Sequence, residues 1–205
     1  KEKRIYYIHF TMDDNLSLSQ KVKEMFRRMF SGVFFKRYIL GLWVMAEGII
    51  YDMFKEDIHK VPTIDRRYEE YYISIDYGTQ NPTTFGLWGL SNDVWYKVKE
   101  YYYDGKSEGV QKTDEDYYQD LVKFAGNRVI QSVVVDPSAA SFIAAIIKHG
   151  EFTVIPADND VLDGIRNMAT ALSNKMILYN DVCINTFKEF YSYVWDDKAS
   201  ERGED

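Results

Sequence analysis

Two aspartates in this 205-residue chain follow strongly apolar runs: Asp76 closes "YYISID" and Asp136 closes "RVIQSVVVD". An ionised carboxylate taken out of water costs several kcal/mol unless something pairs with it. If the two runs are neighbouring strands, both carboxylates face one site beyond the strand ends, where ligands gather in sheets of this kind. Such a pair supplies the few hard oxygen ligands that suit Mg2+ or Mn2+, with water and a substrate phosphate completing the octahedron. Two ions about 3.5–4 Å apart activate a water and stabilise the leaving oxygen of a phosphodiester. Taken singly, each aspartate is equally a turn former, since "DYG" and "DP" are common turn sequences. Taken together, after two apolar strands, they favour a site.

Other polar residues fall close to these two. Thr79 and Asn81 lie in the loop after Asp76, where they could hold a metal-bound water or brace the turn before Pro82. Glu100 ends "YKVKE" and could face the same pocket as an additional ligand. Ser138 and Ser141 are expected to cap the helix after Asp136, whose first turn would offer N–H groups to a phosphate. His9, His59 and His149 show no metal-ligand spacing, and His149 suits a helix end. Cys183 has no partner for an internal disulfide, which fits a reducing compartment; it reads as a small apolar residue on a helix. Tyr101, Tyr102 and Tyr103 read as strand packing rather than base stacking.

The elements that must position these residues follow from hydrophobic periodicity. Runs at 71–76, 83–90 and 94–103 read as three strands joined by the short links "GTQNP" and "SND", an antiparallel meander. "DGKSEGVQ" reads as a loop or hairpin tip, and Thr113 with Asp116 as a capping box opening a helix over about 113–126. Strand and helix then alternate through "FTVIPA", "VLDGIRNMATALSN", "KMILYN" and "DVCINTFKEFYSYVW". The order predicts an α/β domain with a mixed sheet, antiparallel meander first and parallel strands after, flanked by helices. Val22, Met25, Phe26, Met29 and Phe30 have helical spacing, with Asp14 or Ser17 as the expected cap and Gly32 at the end. A polar stretch with Pro62 places a boundary near residue 60, dividing 1–60 from 61–205.

Hydrophobic residues make up 46% and aromatics 16%, enough for a sizeable core. The net charge of -7 argues against a globally basic nucleic-acid coat but leaves room for a local basic groove. No apolar run approaches the ~18 residues of a membrane span, so a cytosolic protein without membrane contact is expected.

The ordered set "SIDYGTQNPTTFGLW", "YKVKEYY", "VVVDPSAASFIAAIIKHG" and "ADNDVLDGIRNMATAL" resembles the nuclease domain of the large terminase subunit of tailed bacteriophages. The stretch from "HFTMDDNLSLSQKVKEMF" to "GLWVMAEGIIYDMF" resembles the segment joining that domain to the family's ATPase domain. The resemblance implies a ribonuclease H-like fold and metal-dependent cutting of double-stranded DNA during genome packaging, with two Mg2+ or Mn2+ ions. It implies that Asp76 and Asp136 are the first two metal ligands. It further implies the terminase small subunit and the portal protein as partners, in the host cell cytoplasm. The family's third acidic ligand follows a "Y.WD" segment; here "SYVWDDKASERGED" offers Asp196, Asp197 or Asp205, and the ligand is expected in a last helix beyond Asp205. The loop G-x-x-x-x-G-K-[ST] occurs nowhere, so 1–60 is read as a linker to an absent ATPase domain.

Two alternatives stay open. A non-catalytic ribonuclease H-like docking module needs no third carboxylate. An ATP-binding fold of the actin, heat-shock chaperone and sugar-kinase class also opens with a sequence like "IDYGT", but the second phosphate hairpin and the Gly-Gly loop it needs are not evident. Candidate DNA contacts are Lys106, Lys112 and Lys175, with Lys148 and Arg166 as further surface cations. If the tip carrying Lys106 and Lys112 meets DNA, replacing both with glutamate weakens duplex binding; an unchanged affinity in a gel-shift titration would remove that role.

Overall fold

The computed structural model describes residues 8–30, 32–43, 48–78 and 81–195. In chain order the helices and strands are α1 (Gln20–Met29), α2 (Gly32–Phe34), α3 (Glu56–His59), β1 (Lys60–Val61), β2 (Glu70–Asp76), β3 (Thr83–Ser91), β4 (Val94–Tyr103), α4 (Gly105–Glu108), α5 (Asp114–Ala125), β5 (Ile130–Val135), α6 (Ala140–His149), β6 (Val154–Pro156), α7 (Val161–Ser173), β7 (Ile177–Asn180) and α8 (Ile184–Ser192). Contacts group them into two units. One holds Lys1–Phe54, Leu162–Asn174 and Phe190–Asp205; the other holds Lys55–Val161 and Lys175–Glu189.

The second unit carries one seven-stranded sheet in the order β1-β7-β4-β3-β2-β5-β6. β2, β3 and β4 pair antiparallel, and β5, β6 and β7 join parallel to their neighbours. This is the meander followed by parallel strands that the periodicity predicts. Alternation sorts the side chains into two faces. Ile73, Ile75, Phe85, Leu87, Val133 and Val135 are buried and pack with Leu121, Phe124, Phe142 and Ile146 of α5 and α6. Phe85 lies at the centre, stacked 4.5 Å from the Tyr101 ring. Tyr77 ties the exit of β2 to α5, its hydroxyl donating to Asp114 at 2.5 Å while its ring stacks on Phe142. The tyrosines at 101 and 103 do pack as strand residues, with hydroxyls bonded to Asp120 and to the Val110 carbonyl.

The first unit is helical. Phe34, Ile50 and Ile165 form its buried cluster, with Phe30, Tyr51 and Trp195 against it. The cap of α1 differs from expectation: Ser19, not Asp14 or Ser17, accepts the Val22 N–H. Asp14 instead bonds Thr11 and closes a 3-10 turn. Phe30 turns extended and ends α1 before Gly32, which opens α2 at φ +55°. "DGKSEGVQ" is also not a bare loop, because Asp104 caps the short α4 and Gly109 closes it in the left-handed region. The capping box of Thr113 and Asp116 opens α5 as predicted.

Among the described residues, no helix is long and apolar enough to cross a membrane. Phe85 is fully buried between helices and the meander, so Phe85→Ala should lower unfolding stability by about 3–5 kcal/mol, as measured by urea denaturation of the chain.

Candidate metal centre

The site begins in strand register. β2 and β5 run parallel with Ile75 opposite Val135. The next residue on each strand is an aspartate, and both continue the face that carries Ser74 and Val134 rather than the buried face of Ile75 and Val135. Neighbouring strands lie about 4.8 Å apart, so Asp76 and Asp136 stand side by side at the sheet's edge. Their environments differ. Burial, and then the Asp136 charge, push the Asp76 carboxyl above its ordinary value. Asp136 is held below its ordinary value, chiefly by hydrogen bonds from Ser138, with a further one from the Asn159 side chain. The Ser138 N–H reaches Asp136 Oδ1 at 2.7 Å.

That contact corrects the expected helix cap. Ala139 is the N-cap of α6 and makes no side-chain cap bond; Ser138 serves the carboxylate instead. Asp136 is thus a turn former and a charge at the site at once. Asn159 lies in "ADND", just after β6, where no local periodicity marked it.

On the Asp76 side, Asp76, Asn81, Thr84, Lys97, Glu100 and Thr186 line part of a cleft of about 330 Å³. Gly78 and Thr83 brace the loop into it: the Thr83 hydroxyl donates to the Gly78 carbonyl at 3.1 Å and accepts its N–H at 3.2 Å. Glu100 reaches this cleft as expected, and its oxygens are engaged. Oε1 accepts the Asn185 N–H at 2.6 Å, and Oε2 accepts the Thr186 N–H at 3.0 Å and hydroxyl at 2.6 Å. A carboxylate from β4 therefore caps the N-terminus of α8.

A bulge makes this possible. Leu87 pairs with Lys99 and Trp88 with Lys97, leaving Val98 extra. Val98 packs against the buried core and Lys99 lies over Phe124, both toward α5. Lys97 and Glu100 consequently both point toward α8. Lys97, which sequence reasoning did not single out, donates to the Thr186 hydroxyl at 2.7 Å.

The other candidates lie elsewhere. Lys112 sits 2.5 Å from Asp120 and over the Tyr103 ring, a cation already paired. Lys106 is exposed on α4, and Lys175 is exposed with φ +55° just before β7. Lys148 is exposed, Arg166 pairs with Asp163, and His149 pairs with Glu115 while stacking on Tyr118. Cys183 is buried, as expected, at the start of α8. Thr79 and Asp196 lie outside the described residues, as do Asp197 and Asp205.

A cation fits the paired aspartates: two hard-oxygen donors converge, and their mutual repulsion is what a divalent ion would relieve. Among the described residues no cluster of three or more acidic, histidine or cysteine groups suits a metal, so the pair is the described protein contribution. The sign of the Asp76 shift gives a check. Its folded pKa is raised, so its stability contribution is complete below 3.8, the unfolded value, and is lost as pH rises through the folded value. Asp76→Asn should therefore melt higher than wild type at neutral pH without metal. The difference should vanish near pH 3, as read by circular dichroism melts.

No protein-family model matches the chain, and no curated protein does. Solved structures do. A large terminase from a thermophilic bacteriophage, in complex with ADP, is 68% identical over 97% of this chain, with a TM-score of 0.90. This chain covers 50% of that protein, and so spans about half its length. The P22 large terminase nuclease domain is 14% identical, with a TM-score of 0.56 over 78% of this chain and 90% of its own. The large terminase nuclease of thermophilic phage G20c with bound magnesium is 16% identical, with a TM-score of 0.52 over 77% and 85%. At such low identity these two show the fold, the mixed sheet with helices described above. The 68% match makes the chain a member of the bacteriophage large terminase family, and it carries the ribonuclease H-like fold of the nuclease domains.

Proposed function

We propose that the chain is a metal-dependent endonuclease that cuts double-stranded DNA during phage genome packaging, with Asp76 and Asp136 as its catalytic metal ligands. The observation that carries this reading is the register of β2 and β5, which sets two carboxylates at the ends of neighbouring strands, where burial and then the Asp136 charge raise the Asp76 pKa. Magnesium bound in a similarly folded phage nuclease supports Mg2+ or Mn2+ as the ion. Bound there, such ions would supply an activated water and stabilise the leaving oxygen of a phosphodiester. Asp136 is oriented by Ser138 and Asn159, and Glu100 holds the wall of the cleft by capping α8. Asn81 lines the same cleft and in this reading would hold a water there.

In this reading residues 61–205 are the nuclease portion and 1–60 the linker to an ATPase portion. Asp196 is the candidate for a third carboxylate. Double-stranded DNA is the substrate; the small subunit and the portal protein are partners in the host cell cytoplasm. Lys106 and Lys175, both exposed, are candidate contacts to the DNA backbone.

The test is nicking of supercoiled plasmid in Mn2+, Mg2+ or EDTA. Wild type should nick only with metal, and Asp76→Asn and Asp136→Asn should fall to the EDTA background. Metal should also raise the melting temperature of wild type and not of either variant. Folded wild type that binds duplex without metal, never nicks and gains no stability from Mn2+ would instead make the domain a docking module.

A further inference from the structure

Lys97 has an environment that neither the fold nor the metal pair explains. Its residue is half-buried on β4, and its ammonium is withdrawn from water. Its stem crosses Gly86: a Cβ there would stand 3.0 Å from Lys97 Cε and 2.9 Å from Ser74 Oγ. A Cβ at this position would crowd that passage. Gly86 pairs with Ser74 on β2, two residues before Asp76 on the same face. Diagonal neighbours of this kind lie about 7–8 Å apart, so the ammonium is led toward the Asp76 end of the cleft. Both residues line it.

An ammonium has three donors and no acceptor. Among the described residues only the Thr186 hydroxyl takes a hydrogen bond from it, and no described carboxylate lies within ion-pairing distance. The Trp88 ring lies 5.7 Å away and carries no formal charge. Glu100 acts on the ammonium only from a distance, while its oxygens hold Asn185 and Thr186. A cation withdrawn from water is costly unless an anion pairs with it. The fold therefore keeps a lysine amine in the cleft that Asp76 also lines, its pKa lowered by burial, with spare donors and, among the described residues, no anion bonded to it.

We propose that Lys97 binds a phosphate of the nucleic-acid backbone in this cleft, donating to a non-bridging oxygen of the phosphodiester presented to Asp76 and Asp136. This rests on the nuclease reading for its substrate class, yet the contact itself needs no metal. The phosphate supplies the anion that Lys97 lacks. A positive charge fixed at that oxygen also stabilises negative charge as it builds during hydrolysis.

The experiment separates the lysine from the metal pair. Binding of a short fluorescein-labelled duplex is measured in EDTA against salt for wild type, Lys97→Met and Lys97→Arg, with melts in Mn2+ alongside. Lys97→Met should keep the Mn2+ stabilisation, bind duplex about tenfold more weakly, the scale of one charge-assisted hydrogen bond, and show a salt slope shallower by about 0.9. Lys97→Arg should recover part of the affinity. Unchanged duplex affinity in folded Lys97→Met would overturn the proposal and leave Lys97 as a prop for Thr186. If Lys97→Met does not fold, the Lys97 13Cε resonance of the wild-type chain decides. It should shift on titration with inorganic phosphate, and no shift, or wild type that binds no duplex, overturns it. A wild type that gains no stability from Mn2+ but passes the phosphate tests would sink the metal reading and keep the lysine.

Discussion

The pairing of Ile75 with Val135 places two aspartates together at the end of a sheet whose one face is apolar. Parallel pairing with side-chain period two leaves no freedom in this: whichever face Ile73, Ile75, Val133 and Val135 bury, Asp76 and Asp136 take the other. A slip of one residue would send both carboxylates toward Phe142 and Leu121, where an ionised group could not be tolerated. The packed core of β2, β3, β5, α5 and α6 thus enforces the proximity of two like charges. Burial, and then the Asp136 charge, raise the pKa of Asp76.

The cleft beside this pair is built by a second device, the extra residue at Val98. Without it Lys97 and Glu100, three apart on a strand, would face opposite sides of the sheet. With it, one carboxylate and one ammonium reach the start of α8 together. Glu100 satisfies N–H groups that a helix leaves unpaired at its N-terminus, and Thr186 links the two side chains. Bulges beside functional sites commonly re-aim side chains in this way. The Glu100 carboxylate is thereby occupied from within, while the Lys97 ammonium gives one hydrogen bond to Thr186 and keeps its other donors.

Local stability and the site are joined at few points. Tyr77 follows Asp76 directly and is fastened to Asp114 and Phe142, so the end of β2 cannot swing away from the sheet. Gly78 closes its turn against Asn81 and Pro82, where a Cβ would come within 2.2 Å of the Asn81 carbonyl oxygen. Asp136 is fastened in turn by Ser138. Both carboxylates therefore sit on backbone that packing and hydrogen bonds hold still, the condition a metal site needs from its ligands.

Features that depend on neighbours along the chain were legible in the order of residues. Strands at 71–76, 83–90 and 94–103, each found to within a residue at its ends, the capping box at Thr113 and the two aspartates after apolar runs all follow from periodicity and local capping, whose range is a few residues. The ordered motifs also carried the family resemblance. Tertiary structure alone decided what depends on residues far apart. Glu100 caps a helix 85 residues away, which no spacing rule predicts. Ser138 donates its N–H to Asp136, and Ala139 rather than a serine takes the N-cap position of α6. Lys112 met Asp120 and Tyr103 only once β4 and α5 had packed. Lys97 gained its role from a bulge and from a glycine on the neighbouring strand. Pairing register and bulges arise from the balance of a whole sheet, so the chemistry that rests on them appears only when the sheet is assembled.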